Sequence, residues 1–277
     1  MFKRPEPVSS FLDRRSPEDD GTPRRHAPGK IVEGVPMARL IPRAFIKQAP
    51  EIVMLGDSRL PAAECFRRLR SLIQHDPNGS PQVLVVTSAL PHEGKSTIAV
   101  NLALAFAVDE GANVLLIDAD TRRPTVGHWF EPPPTLGLRE VVEDNVGLDH
   151  AILDIKNTRL KVLSAGEPAS DPVRLLASGE TGKLFETLRT RFTRIIVDTP
   201  PIVPFTDADV IGAQCDGAII VARSGVTPQP ALQQALSSVT TTRLLGIVLN
   251  DVRFSLADRH RHYESYYRRY YDPKGTS

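Results

Sequence analysis

A mostly parallel α/β sheet covered by helices on both faces is the fold this sequence predicts, and three observations carry it. Short, nearly continuous apolar runs recur along the chain, as strands buried on both faces require. Helix-length stretches separate them, so strand and helix alternate. The 277 residues are 41% hydrophobic and 24% charged, enough for a sizeable core. In order, 62–75 reads as a helix with Pro61 suited to its first turn. Residues 82–88 (QVLVVTS) read as a buried strand, 95–108 as a helix with an Ala/Leu face, and 113–120 (NVLLIDAD) as a strand again. Further strands are expected at 160–165, 194–199, 217–223 and 244–250, and helices near 171–178, 180–191, 206–214 and 228–241. No internal repeat is visible.

Composition narrows the function classes. Lys plus Arg is 34 against 33 for Asp plus Glu, a net charge of +1, which excludes a strongly basic nucleic-acid binder. Two cysteines, Cys65 and Cys215, exclude a disulfide scaffold and a cysteine-rich zinc module, and read as packing residues. No apolar run approaches the roughly 18 residues of a membrane span, so a soluble, cytoplasmic protein is expected. Residues 1–50 carry 8 of the 24 prolines and a net +4, and read as a disordered or linker segment. Residues 252–277 carry a net +3, and all five tyrosines lie between Tyr263 and Tyr271. A core-building residue does not distribute that way. The expected organisation is therefore a tail (1–50), a domain (51–252) and a tyrosine-rich C-terminal segment (253–277).

The strongest motif is Ala89-Leu-Pro-His-Glu-Gly94-Lys95-Ser96-Thr97, which follows a predicted strand and opens a predicted helix. That is the context of the P-loop pattern GxxxxGK[ST], departing from it only in Ala89 at the first position. Backbone N–H groups at a helix start would cradle phosphate oxygens, and Gly94 permits the close approach. Lys95 would reach the β- and γ-phosphates, Ser96 would ligate magnesium, and Thr97 would donate to the α-phosphate. His92 and Glu93 belong to the same nucleotide-binding loop, with no separate role readable. Asp118 and Asp120 end the next strand on one side, and Asp198 ends the strand IIVD in the Walker B manner. Carboxylates gathered at the carboxyl edge of one sheet call for cations, which Mg²⁺ beside a triphosphate supplies. A guanine-reading motif would need Asp at 253, where Arg stands; Asn250 at a strand end can instead pair with adenine, which favours ATP.

Over roughly 60–271 these residues together resemble the bacterial tyrosine kinases of capsule and exopolysaccharide loci (the BY-kinase family). The resemblance rests on the Ala-first P-loop, LLIDADTRRP, IIVDTPP and the tyrosine cluster. It also rests on Glu64-x-x-Arg67-x-x-Arg70, similar to the motif with which these kinases close into rings. It implies a P-loop NTPase fold of the SIMIBI class and ATP- and Mg²⁺-dependent autophosphorylation in trans on Tyr263, Tyr266, Tyr267, Tyr270 and Tyr271. Lys95 and Ser96 would hold ATP and magnesium. Asp118 would be the base for the tyrosine hydroxyl or a metal-shell ligand, with Asp120 and Asp198 in the magnesium shell. Arg122 would serve the site or a neighbouring subunit. A separate inner-membrane chain-length regulator, a cognate tyrosine phosphatase and a homo-oligomeric ring are the implied partners. The implied location is cytoplasmic, at the inner membrane through that partner.

Each phosphate adds about −1.5 to −2 charges, so full modification would take the C-terminal segment from +3 to roughly −4.5 to −7. Such a reversal could break a ring by repulsion against the net-negative domain. Three other readings fit the residues less well. A tail stacking on RNA is disfavoured by its shortness and lack of Gly repeats. A partition- or division-site-type ATPase would carry a lysine where Leu90 stands, and has no use for a tyrosine tail. A scaffold without chemistry would not need Lys95, Ser96 and three aspartates intact.

Overall fold

Nearly continuous apolar runs form the central strands, because each of these strands packs a layer on either side. The computed structural model describes residues 42–56 and 60–252. In chain order these form β1 (Arg43–Ile46), α1 (Pro61–Gln74), β2 (Val83–Ser88), α2 (Lys95–Phe106), β3 (Val114–Asp118) and β4 (Phe130–Glu131). There follow α3 (Leu138–Val142), α4 (Leu148–Ala151), β5 (Ile152–Ile155), β6 (Leu160–Leu163), α5 (Pro172–Leu176), α6 (Gly179–Arg191) and β7 (Arg194–Asp198). The last are α7 (Asp207–Gly212), β8 (Gly217–Arg223), α8 (Gln229–Ser238) and β9 (Leu244–Asn250).

The nine strands make one sheet in the order β4-β1-β5-β6-β3-β7-β2-β8-β9. From β6 to β9 every pairing is parallel. These are the six strands the sequence predicts. Alternation along them gives the core a main layer on each face, with a smaller cluster of Ala89, Ile202, Ala208, Ile220 and Ala235 beside them. Leu84, Val86, Leu116, Ile196 and Val221 face α1 and α2, while Val83, Val85, Leu115, Ile117 and Val197 face α6 and its neighbours. Each large apolar side chain so buried contributes about 1.5–3 kcal/mol.

The remaining strands extend one edge and were not expected. β5 runs antiparallel to β6, β1 pairs parallel with β5, and β4 closes the edge antiparallel to β1. Thus 43–46 belong to the sheet rather than to a linker ending at residue 50. Ala44 is fully buried and Ile52 lies in the core. The chain stays attached beyond β1 because Asn101, buried in α2, donates to Glu51 O at 2.8 Å and accepts from Met54 N at 3.1 Å. Cys215 packs against the second core layer, as expected, and burial pushes its thiol pKa up. Cys65 does not pack: it is exposed on α1. Among the described residues no helix is long and apolar enough to cross a membrane.

Candidate active site

The P-loop lies between β2 and α2, and its shape follows from three constraints. His92 and Gly94 both take positive φ, 63° and 91°. A Cβ at Gly94 would stand 2.2 Å from Asn250 Nδ2, so only glycine fits there. Inside the loop the buried Glu93 carboxylate accepts Leu90 N–H at 2.8 Å and the Thr227 hydroxyl. Glu93 is therefore the loop's internal brace, and its side chain is spent before any ligand arrives. Asn250 donates from Nδ2 to Glu93 O at 2.9 Å, which places this amide on the loop backbone rather than out toward a base. His92 is exposed. The first N–H groups of α2 have no partner within the helix and point from its N-terminus, the arrangement that binds anions.

Lys95 is drawn into a buried acidic corner. Its Nζ donates to Asp120 Oδ2 at 2.9 Å and Ser96 Oγ at 3.2 Å, and stands 3.6 Å from Asp198 Oδ2. Burial alone would lower its pKa, but Asp198 and Asp120 outweigh that and hold it above the usual lysine value. Thr125 donates its hydroxyl to Ser96 Oγ at 2.9 Å, tying the loop after β3 to the P-loop. Thr97, half-buried, gives its carbonyl to Asn101 Nδ2 at 2.9 Å.

Asp118 and Asp198 are register partners at the carboxyl ends of β3 and β7, both fully buried. Asp118 Oδ1 accepts Asp120 N–H at 3.0 Å, and Oδ2 accepts Thr125 N–H at 3.1 Å and Val126 N–H at 3.0 Å. Among the described residues neither oxygen of Asp198 has a hydrogen-bond partner within normal distance; the nearest cation, Lys95 Nζ, is the 3.6 Å ion-pair partner. Burial, and then the neighbouring Asp198 charge, push Asp118 up to about 8 against the pull of the Val126 N–H. Burial likewise raises Asp198, to about 6, with Lys95 pulling it back. Asp120 accepts Arg123 N–H at 3.0 Å through its other oxygen.

A divalent cation fits this corner. The Asp198 carboxylate, held only by the Lys95 charge, and the Ser96 hydroxyl are hard oxygen donors beside the phosphate-binding loop. Among the described residues no three His, Cys, Asp or Glu side chains form a ready metal cage. Magnesium needs none, since it keeps waters and takes phosphate oxygens.

Arg122 is committed elsewhere in the chain. It forks onto Asp207, Nε to Oδ1 at 2.9 Å and Nη2 to Oδ2 at 3.1 Å, and lies 4.5 Å from the Phe205 ring centroid. Sequence reasoning missed Asp207, Phe205, Thr125 and Thr227. An acid at the start of a predicted helix was the one available signal for Asp207.

On α1, Glu64 pairs with Arg67 at 2.9 Å, whereas Arg70 bonds Ala105 O at 2.9 Å and Asp109 at 2.8 Å. Arg70 thus fastens α1 to the carbonyl end of α2, a favourable place for a cation. The tyrosines 263–271 lie outside the described residues.

No protein-family model matches the chain. Curated relatives do. Tyrosine-protein kinase YwqD of Bacillus subtilis is 33% identical over 215 residues, 76% of this chain and 90% of that protein. The succinoglycan biosynthesis transport protein ExoP of Rhizobium meliloti is 32% identical over 231 residues, 78% of this chain but 29% of that longer protein. Among solved structures, the kinase domain of the Escherichia coli tyrosine kinase ETK superposes with a TM-score of 0.71 at 26% identity, covering 76% of this chain and 83% of that one.

Proposed function

The chain belongs to the bacterial tyrosine-protein kinase (BY-kinase) family, and from that membership we propose that it is an ATP- and Mg²⁺-dependent autokinase that phosphorylates Tyr263, Tyr266, Tyr267, Tyr270 and Tyr271 of a neighbouring copy. The observation that carries the reading is the Lys95 corner. A P-loop lysine stands among Ser96, Asp120 and a buried Asp198 whose oxygens have no hydrogen-bond partner among the described residues.

Phosphoryl transfer asks mainly for positioning and charge neutralisation. The α2 N-terminus and Lys95 hold the phosphates. Ser96 and Asp198 hold magnesium, which when bound neutralises charge on the phosphate oxygens. Asp120, already bonded to Lys95 and Arg123 N–H, keeps that lysine aimed at the phosphate site. Asp118 takes the phenol proton as base, and its contacts with Asp120, Thr125 and Val126 shape the surrounding loop.

The likeness to ExoP supports a role in exopolysaccharide or capsule synthesis and export. The further partners are a membrane-bound chain-length regulator, a tyrosine phosphatase and a ring of like subunits touching through Glu64 and Arg67. A cytoplasmic location beside the inner membrane follows from that assembly.

The test is incubation of the purified chain with Mg-ATP and mapping of phosphotyrosine by mass spectrometry, with Lys95→Met as control. Phosphate on the tail of the wild type alone is expected. Phosphate release with an unmodified tail would replace this reading with a simple ATPase.

A further inference from the structure

The segments that follow β3 and β7 meet past the carboxyl ends of those two adjacent strands. From the first comes Arg122, two residues beyond Asp120. From the second come Phe205 and Asp207. Asp207 is fully buried at the start of α7 and grips the Arg122 guanidinium with both oxygens. The guanidinium in turn lies over the Phe205 ring. Three side chains from two loops are thereby locked into one unit, as a rigid bidentate arginine permits. Phe205 itself is half-buried and keeps part of its surface open to solvent. The nucleotide-binding elements, 89–97 with Asp118, Asp120 and Asp198, leave this ring without a role.

We propose that Phe205, backed by Arg122 and Asp207, is the surface on which the acceptor's phenol ring rests, and that this contact helps the site choose tyrosine over serine or threonine. The proposal rests on the kinase reading above. A tyrosine carries its hydroxyl at the far end of a flat ring, so bringing that hydroxyl to a buried aspartate lays the ring along the wall of the entrance. A second aromatic ring there gives an offset or edge-to-face contact, and the cation behind it fixes the ring's orientation. A serine side chain has no ring to place, and reaching the same point would draw its backbone into the entrance.

The experiment uses the full chain with its five tail tyrosines changed to serine, Mg-ATP, and a synthetic peptide of residues 260–277 as acceptor. Phe205→Ala is expected to raise the peptide KM roughly five- to tenfold. The saturating rate should stay within about twofold and ATP affinity should not change. Phe205→Tyr should restore the KM, and the peptide with serine in place of tyrosine should stay unmodified. An unchanged peptide KM in Phe205→Ala overturns the proposal while the kinase reading stands. So does a joint loss of KM, rate and ATP affinity, which would mark Phe205 as structural only. A parent chain that phosphorylates nothing overturns both.

Discussion

The loops after β3 and β7 begin at the same residue type, at the same depth, in register across one sheet, and the two aspartates fare oppositely. Asp118 accepts three backbone N–H groups and by doing so shapes residues 120–126. Asp198 accepts none: among the described residues its oxygens have no hydrogen-bond donor, and Lys95 Nζ stands 3.6 Å from Oδ2. Burying a carboxylate with no hydrogen-bond donor and only the Lys95 ammonium near it is costly, and a fold tolerates it where a ligand completes the set. The first acid's hydrogen bonds order its loop whether or not nucleotide is present. The second, as a carboxylate, is fully compensated only when a cation and phosphates arrive.

The largest effect expected belongs to the group that spans both loops. Lys95→Met removes the cation shared by Asp120 and Asp198, and tail phosphorylation should fall by about 10²–10³-fold or more with the far-ultraviolet spectrum unchanged. A fully active variant would break the account of the P-loop. Asp118→Ala should come next, because it strands three N–H donors at once. Urea unfolding of the unliganded protein should show a loss of about 3 kcal/mol.

Gly94→Ala tests the loop between them. Its new methyl meets Asn250 at a backbone angle that side chains avoid, so a loss of about 1–2 kcal/mol and weakened ATP binding are expected. Adding Asn250→Ala should recover part of the stability but not all, since the φ strain remains.

The contrast also has a pH signature. The Asp198 pKa is raised by folding, so its contribution is fully present below the unfolded value near 4 and is lost as pH rises through the folded value of about 6. Asp118 is raised further, to about 8, so unliganded stability should decline across about pH 4–8, and Asp198→Asn should flatten the lower part of that decline by about 1–3 kcal/mol in denaturant titrations at each pH.

The parallel half of the sheet was readable because each of its strands is apolar on both faces, which leaves a continuous run such as VLVV at 83–86. The β5–β1–β4 edge was not. β4 has two residues, and β1 lies between Pro42 and Pro50 in a stretch whose composition argues for a linker. Only pairing with β4 and β5, both far along the chain, makes 43–46 a strand. The site divides in the same way. Gly94, Lys95, Ser96, Asp118, Asp120 and Asp198 follow local patterns at strand ends. The brace from Glu93 to Thr227 and the fork from Arg122 to Asp207 join residues 134 and 85 positions apart, and no local pattern records them. Asn250 was legible as a strand-end amide near the nucleotide, but its hold on the P-loop backbone depends on how β9 ends beside Glu93.

One measurement bears most directly on the claim that Asp198 is held bare for the ligand: the unfolding free energy of wild type and Asp198→Ala, each with and without saturating Mg-ATP. Without nucleotide the variant should equal or exceed the wild type by up to about 2 kcal/mol, and with Mg-ATP it should gain far less than the wild type does. A variant that is less stable without nucleotide, yet stabilised by Mg-ATP as much as the wild type, would contradict the account.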